Sequence, residues 1–205
     1  MTPIGNLEPT LSFLSQSKVL LIEGVSGVGK TSFRKYLQRE LAVHGKHTFV
    51  FAEEELLFSW KHVAISGIEE LRFSFYEKLL AEVEQELEKH DDIIFVLERF
   101  HVSAKVISWY WDAKLEEHYV QISKRLAKIS AHLCILTLTD EQFAVRHGHP
   151  DRGAQWADYL EKKKVQFGVT DLNARVRKEQ VLFIELAKTS AIPHTIIPAF
   201  SFPLI

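Results

Sequence analysis

A glycine-rich turn between two apolar segments constrains the fold of this chain more than any other feature. The turn reads GVSGVGKT at residues 24–31 and fits the pattern Gly-x-x-x-x-Gly-Lys-Ser/Thr. It follows the apolar run KVLLIE at residues 18–23 and precedes a segment with helical periodicity. Glycines let such a turn bend tightly, so that successive backbone N–H groups point into one concavity and bind an anion. The pattern therefore predicts a phosphate-binding loop between a strand and a helix.

The residues of this loop each predict a contact with a nucleotide. A helix that starts at Lys30 adds the positive end of its dipole. The Lys30 ammonium is placed to reach the β- and γ-phosphates, and the Thr31 hydroxyl to take one magnesium position. We therefore expect ATP with Mg²⁺, and we expect the nucleotide to be bound by Gly24, Ser26, Gly27, Val28, Gly29, Lys30, Thr31 and Ser32.

Strand and helix patterns alternate along the rest of the chain. Short apolar runs predict strands at 18–23, 48–52, 93–97, 132–138 and 194–197, and helical periodicity predicts helices at 31–43, 68–87, 115–129, 154–164 and 171–189. This alternation is typical of an α/β fold, a parallel sheet covered on both faces by helices. Ligands of such sheets bind at the carboxyl ends of the strands, so the functional residues should follow those strands.

Length and charge narrow the classes of partner. The 205 residues suit one domain spanning 1–205, and 46% of them are hydrophobic. A formal net charge of −2 gives no overall attraction to a nucleic-acid polymer or an anionic membrane. We see no signal peptide and no apolar run long enough to cross a bilayer, so we expect a cytoplasmic protein. The single Cys134 lies in an apolar run and is expected to be buried rather than reactive.

Two charged residues directly follow the predicted strand at 93–97. In this fold Glu98 and Arg99 would lie at the rim beside the phosphate loop. Glu98 is a candidate magnesium ligand, acting through water, and Arg99 is a candidate for binding a phosphate or an attacking hydroxyl. The alternative is a solvated ion pair at a strand end, which contributes little.

The segment ERFHVS at residues 98–103 resembles a motif of two kinase families. It is similar to the Glu-Arg-Ser motif of deoxynucleoside kinases and to the Asp-Arg-Tyr-x-x-Ser motif of thymidylate kinases. The resemblance implies a three-layer α/β/α P-loop kinase fold, with five parallel strands and the phosphate-loop strand at the centre. It also implies a small-molecule acceptor, a nucleoside or nucleotide, and a homodimer, since relatives usually pair.

Acidic residues follow the predicted strand at 48–52. Relatives keep one glutamate here beside the substrate hydroxyl, and a carboxylate within hydrogen-bond reach can take the proton of that hydroxyl during transfer. Glu53 is nearest the strand end, whereas Glu55 has the spacing to Trp60 that nucleoside kinases show. Both residues are therefore candidates. The alternative is a solvated helix N-terminus, where acidic residues are favoured in any case.

A basic segment at about 140–165 follows the fourth strand. In kinases of this fold the matching stretch is a lid, whose arginines close over ATP and neutralise charge on the transferred phosphoryl group. Arg146 and Arg152 are placed for that role, and Gly148 and Pro150 are typical of a loop. The alternative is a polar loop with solvated arginines.

The long helix departs from both kinase patterns. The glutamine that nucleoside kinases use to pair with the base is missing, and their aspartate after the Glu-Arg-Ser motif falls on Ala104. Arg72 and Tyr76 are candidates for the cleft wall, although aromatics at helical spacing more often belong to the core. The acceptor is therefore left open between a nucleoside, a nucleoside monophosphate and another small alcohol such as a sugar or an antibiotic.

A nucleotide-binding switch without an acceptor is the remaining alternative. A GTPase would need an Asn-Lys-x-Asp segment that reads the base, and the sequence contains none. The third predicted strand ends in Glu98-Arg99 rather than in Asp-x-x-Gly, which favours a kinase. The leading hypothesis is transfer of the γ-phosphoryl group of ATP, with Lys30, Arg99, Glu53 or Glu55, Arg146 and Arg152 as catalytic residues.

Overall fold

Five parallel strands form one sheet in the computed structural model, which describes residues 16–58, 60, 66–108, 111–147, 158, 161–162, 164–165 and 168–199. The strands are β1 (Val19–Gly24), β2 (His47–Phe51), β3 (Ile93–Glu98), β4 (Ala131–Thr137) and β5 (His194–Pro198). Their order across the sheet is β2-β3-β1-β4-β5, and every neighbouring pair is parallel. The predicted parallel sheet with the phosphate-loop strand at its centre is confirmed.

Helices flank this sheet, as a three-layer α/β/α P-loop fold requires. They are α1 (Lys30–Val43), α2 (Ile68–Lys89), α3 (His101–Ile107), α4 (Ala113–Lys128), α5 (Asp140–His147) and α6 (Leu172–Thr189), and a π-helical turn covers Glu54–Phe58. Most predicted boundaries agree within about two residues, which is the usual uncertainty of a helix end. The predicted helix at 154–164 lies mostly outside the described residues.

The centre of the hydrophobic core is β1. Its six residues are all buried, and Leu21 lies between Leu97 of β3 and Leu133 of β4 in the two registers. A strand covered on both faces by helices buries every side chain, which explains the apolar run of its first four residues. Each such side chain contributes about 1.5–3 kcal/mol when it is removed from water. The same burial fixes the point at which the chain leaves the sheet and enters the glycine-rich turn.

Two helices were not predicted from the sequence. Residues 140–147, expected as the start of a lid loop, form α5, because Thr139 and Gln142 cap it reciprocally: the Gln142 N–H donates to Thr139 Oγ1 at 3.4 Å, and the Thr139 N–H donates to Gln142 Oε1 at 3.0 Å. The short helix α3 has no local cap of this kind and depends on a contact with β1. The sequence signal for α5 is the local pair Thr139 and Gln142. The contact on which α3 depends comes from a residue distant in sequence, so no local pattern predicts that helix.

The described helices include none that is both long enough and apolar enough to span a bilayer. Cys134 is a free thiol buried in β4, as expected from its apolar surroundings.

Candidate active site at the carboxyl end of the sheet

The glycine-rich turn is shaped by positions that accept no side chain. Gly24 has a φ of +139°, and a Cβ there would lie 2.5 Å from the carbonyl oxygen of Leu136. Gly29, which precedes α1, has a φ of 98°. The side chains of Val25 and Val28 are fully buried in the hydrophobic core and hold the turn against it. The backbone is therefore held in the bent form that leaves a concavity for an anion.

Lys30 is the first residue of α1 and is buried inside this turn. Its ammonium donates to the carbonyl oxygen of Val25 at 3.0 Å. Burial, together with the positive charge of Arg99, lowers the pKa of Lys30 to about 7, although Glu53 and Glu98 oppose that shift. The ammonium thus donates to one carbonyl oxygen, and its charged form is disfavoured by burial. A bound phosphate would stabilise the charged form.

Glu98, at the end of β3, makes contacts with two residues of α1. Its Oε1 accepts a hydrogen bond from the Thr31 hydroxyl at 2.9 Å, and its Oε2 forms an ion pair with Arg34 Nε at 2.9 Å. A hydroxyl oxygen beside a carboxylate oxygen is the kind of hard donor set that Mg²⁺ prefers. The residues present therefore fit the predicted magnesium site at Thr31 and Glu98.

Arg99, the residue after Glu98, contacts the segment that follows β2. Its Nε forms an ion pair with Glu53 Oε2 at 3.0 Å. Only 5% of Arg99 is exposed, and its φ of 60° lies in the left-handed region, which is uncommon for a residue with a side chain. The sequence-predicted residues Lys30, Thr31, Glu53, Glu98 and Arg99 are thus brought together at one edge of the sheet.

The structure places the two candidate glutamates in different surroundings. Glu53 reaches Arg99 and contributes to the electrostatics of Lys30, whereas Glu55 is exposed on the π-helical turn. The sequence could not decide between them, because both follow β2 and the unusual helical turn shifts the register of the chain there.

Two residues of the site were missed by the sequence reasoning. Arg34 lies one helical turn after Thr31 on the same face of α1, a spacing that could have identified it. Glu23 immediately precedes the glycine-rich turn and was treated only as a strand end. It is fully buried, and its Oε1 accepts from the backbone N–H groups of Phe100 at 2.9 Å and Ser103 at 3.3 Å, while its Oε2 accepts from the Ser103 hydroxyl.

Burial raises the pKa of Glu23 to about 7, and the two hydrogen bonds from Ser103 and the charge of Arg99 partly oppose this shift. A carboxyl group in the core without such donors would be more costly to ionise. The sequence does contain a signal for this role of Glu23. It is an acidic residue in an otherwise apolar central strand, and a buried carboxylate requires hydrogen-bond or charged partners.

The long helix α2 carries Arg72 and Tyr76, the two residues expected at the cleft wall. Arg72 is 3% exposed, and its guanidinium donates to Glu69 at 2.7 Å. Trp60 packs against Phe75 with ring centroids 5.6 Å apart. Tyr76 is fully buried, donates its hydroxyl to the Leu56 carbonyl and packs on the ring of Phe100, so it belongs to the core.

The predicted lid lies largely outside what the structure describes. Arg146 is in α5, but its side chain is not among the described groups, and Arg152 falls outside the described residues. Their predicted contact with ATP therefore stays a prediction.

The chain is similar to one family of known proteins. A family model described as an AAA domain matches residues 20–148. A search of curated proteins found no match. The solved structure titled "Crystal structure of APE1195" is similar with a TM-score of 0.42 and 15% sequence identity, over 85% of this chain and 96% of that one.

Proposed function

Since the chain belongs to the AAA domain family, a P-loop NTPase-like family that includes kinases, we propose that it is an ATP-dependent phosphotransferase. The acceptor that we propose is a nucleoside or a nucleoside monophosphate, as the resemblance at residues 98–103 implies. The family membership accounts for nucleotide binding, whereas the transfer to a small hydroxyl rests on the residues beyond the phosphate loop.

The observation that carries the proposal is the ion pair of Glu53 and Arg99 beside the buried Lys30. An NTPase needs only to position water, whereas a kinase needs a carboxylate next to the acceptor hydroxyl and a cation next to the transferring group. Both groups lie at the carboxyl ends of β2 and β3, and the charges of Glu53 and Arg99 both act on the pKa of Lys30.

The proposed reaction depends mainly on positioning and electrostatics. The loop amides and the Lys30 ammonium hold the β- and γ-phosphates. To do so, the ammonium exchanges its hydrogen bond to the Val25 carbonyl for contacts with phosphate oxygens. With a nucleoside as acceptor, Glu53 accepts the proton of the nucleoside hydroxyl as the hydroxyl oxygen attacks the γ-phosphorus and ADP leaves. With a nucleoside monophosphate, an ionised phosphate oxygen attacks instead and no proton is transferred to Glu53. Arg99 then faces the negative charge that develops on the transferred group. Arg146 and Arg152 are proposed to add positive charge from the lid.

A magnesium ion would be held by the Thr31 hydroxyl and, through water, by Glu98, and when bound it would neutralise phosphate charge. In its absence Thr31 and Glu98 bond to each other, so ion binding would exchange that hydrogen bond for coordination. Arg34 would keep the second oxygen of Glu98 oriented.

The direct test is ADP production from ATP and Mg²⁺ with a panel of nucleosides, nucleoside monophosphates, sugars and aminoglycosides. Turnover that requires one nucleoside or nucleotide supports the proposal and identifies the acceptor. Turnover only with a sugar or an antibiotic would contradict the proposed acceptor but support the proposed phosphoryl transfer. Tight ATP binding without any acceptor-dependent turnover would contradict the proposal and favour a nucleotide-binding switch.

A further inference from the structure

The buried carboxylate of Glu23 connects β1 to the segment that carries Arg99. Three donors of that segment converge on it: the N–H groups of Phe100 and Ser103, and the Ser103 hydroxyl. These hydrogen bonds join positions about eighty residues apart in the chain. A carboxylate that accepts backbone N–H groups ahead of a helix acts as a side-chain cap, here supplied by another element of the fold.

The same contacts restrain the backbone on both sides of Arg99. The Arg99 N–H donates to the Ile22 carbonyl at 3.0 Å, and the next N–H, that of Phe100, donates to Glu23. The peptide before Arg99 is thus held by the backbone of β1, and the peptide after it by a side chain of β1. With both peptides oriented, the φ of Arg99 has little freedom, and the observed value of 60° is the left-handed one.

A left-handed arginine is unfavourable without such restraints. A residue of this type is held in a sparsely populated conformation only when the surrounding structure over-determines it. The conformation has a consequence for the site, because it sets the direction in which the side chain leaves the backbone and so its approach to Glu53.

We propose that Glu23 is a positioning residue of this site: by holding the Phe100 and Ser103 N–H groups, it keeps Arg99 in the left-handed conformation that directs the guanidinium to Glu53 beside the phosphate loop. This inference deepens the proposed function, since it assigns the support of a group that we place in phosphoryl transfer. Glu23 touches neither nucleotide nor acceptor and acts through Arg99.

Substitutions at Glu23 separate this role from simple filling of the core. Glu23→Ala removes all three acceptor contacts. Glu23→Gln keeps an oxygen for the two N–H groups and offers its own N–H₂ group to the Ser103 oxygen, so it should preserve the geometry. Glu23→Asp retains the charge but shortens the side chain, and it should not reach the Phe100 N–H. It serves as the second variant in case Glu23→Ala does not fold.

Crystal structures of these variants test the proposal without any acceptor. We expect Arg99 to leave the left-handed region and to separate from Glu53 in Glu23→Ala or Glu23→Asp, and to keep both features in Glu23→Gln. A Glu23→Ala or Glu23→Asp structure with Arg99 still left-handed and paired with Glu53 would overturn the proposal.

Kinetics with ATP and the acceptor found by the panel provide the second test. We expect kcat to fall about 100-fold in Glu23→Ala, because a misplaced catalytic group reduces the rate by about this factor. The dissociation constant of MgATP should be unchanged in Glu23→Ala, and kcat should be restored in Glu23→Gln. In an Arg99→Ala background the further effect of Glu23→Ala should disappear. An undiminished effect there would contradict action through Arg99. If the wild-type protein uses no acceptor, the proposed function fails, while the crystallographic test of Glu23 still decides this inference.

Discussion

Two groups of residues around Lys30 differ in how completely their polar atoms are paired. On the phosphate side, formed by Lys30, Thr31 and Glu98, every charged or hydroxyl group named has a partner within the site. On the acceptor side, to which we assign Glu53, Arg99, Arg72 and Trp60, the buried Arg72 Nε and Trp60 Nε1 have neither a hydrogen bond nor an ion pair among the described residues. Arg34 Nε and Arg99 Nε also lack a hydrogen bond, but each forms an ion pair with a glutamate.

This difference indicates how each side would respond to a ligand. On the phosphate side, existing hydrogen bonds already hold Lys30, Thr31 and Glu98 near one another. Ligand binding would exchange those hydrogen bonds for contacts with phosphate and Mg²⁺. A buried donor without a partner is costly, so we expect a bound acceptor molecule to accept hydrogen bonds from Arg72 Nε and Trp60 Nε1. Variants of the first side should therefore act on nucleotide binding, and those of the second on transfer alone.

The largest expected effect is on the phosphate side. Lys30→Ala removes the ammonium that holds the β- and γ-phosphates, and we expect kcat/KM for ATP to fall about 10³-fold or more, because preorganised charge at the reacting group is lost. Steady-state ADP production and nucleotide binding by calorimetry measure this effect. The control is Lys35→Ala, on an exposed position of the same helix, which should behave like the wild type. Equal nucleotide affinity in Lys30→Ala would contradict the assigned role of the loop.

On the acceptor side, with a nucleoside as acceptor, Glu53→Gln should reduce kcat by about 10²-fold or more, because an amide cannot accept the hydroxyl proton. MgATP affinity should be unchanged, since the phosphates contact other residues. Glu55→Gln is the matched control, being two residues away and exposed, and it should leave kcat unaltered. Single-turnover measurements that separate binding from transfer would distinguish the two variants. A larger loss in Glu55→Gln would show that Glu55 is the acceptor carboxylate.

A smaller effect is expected from the backbone of Arg99. Arg99→Gly and Arg99→Ala both remove the guanidinium, but only glycine adopts a φ of 60° without strain. Arg99→Gly should therefore be more stable than Arg99→Ala by about 1 kcal/mol in urea unfolding. Ser130, an exposed residue with a φ of 55° away from the site, supplies the reference pair Ser130→Gly and Ser130→Ala. No difference at either position would mean that the strain is relieved in solution.

The smallest effect concerns protons. Burial lowers the pKa of Lys30 to about 7, so Lys30 is mostly neutral at a pH of about 8.5. Polyphosphate favours the charged form and raises that pKa, so binding of MgATP at this pH should take up roughly one proton. Calorimetry in buffers with different ionisation enthalpies measures the uptake. Uptake should decline as the pH falls below about 7, where Lys30 is already charged, and it should be absent in Lys30→Gln.

The sequence predicted the phosphate side better than the acceptor side, for a physical reason. The glycine-rich turn, Lys30 and Thr31 lie in one continuous segment, so their spacing alone specifies their geometry. The position of Glu98 also followed, because a parallel sheet brings the ends of neighbouring strands to one edge.

The acceptor side depends on contacts that no local pattern encodes. The different placement of Glu53 and Glu55 accompanies a π-helical turn, and α3 is capped by Glu23 from another strand. Arg34 and Glu23 were missed because each becomes informative only once its distant partner is known. The roles of Arg146 and Arg152 remain predictions.

The central position of β1 also affects how the chain must fold during synthesis. Although β1 comes first among the strands, its two neighbours are β3 and β4, which begin at residues 93 and 131. Until the ribosome has released both, a largely apolar strand has no neighbouring strand to pair with and is exposed to other chains. Pairings so distant in sequence close slowly, so newly made chains should depend on chaperones more than a protein with local contacts would.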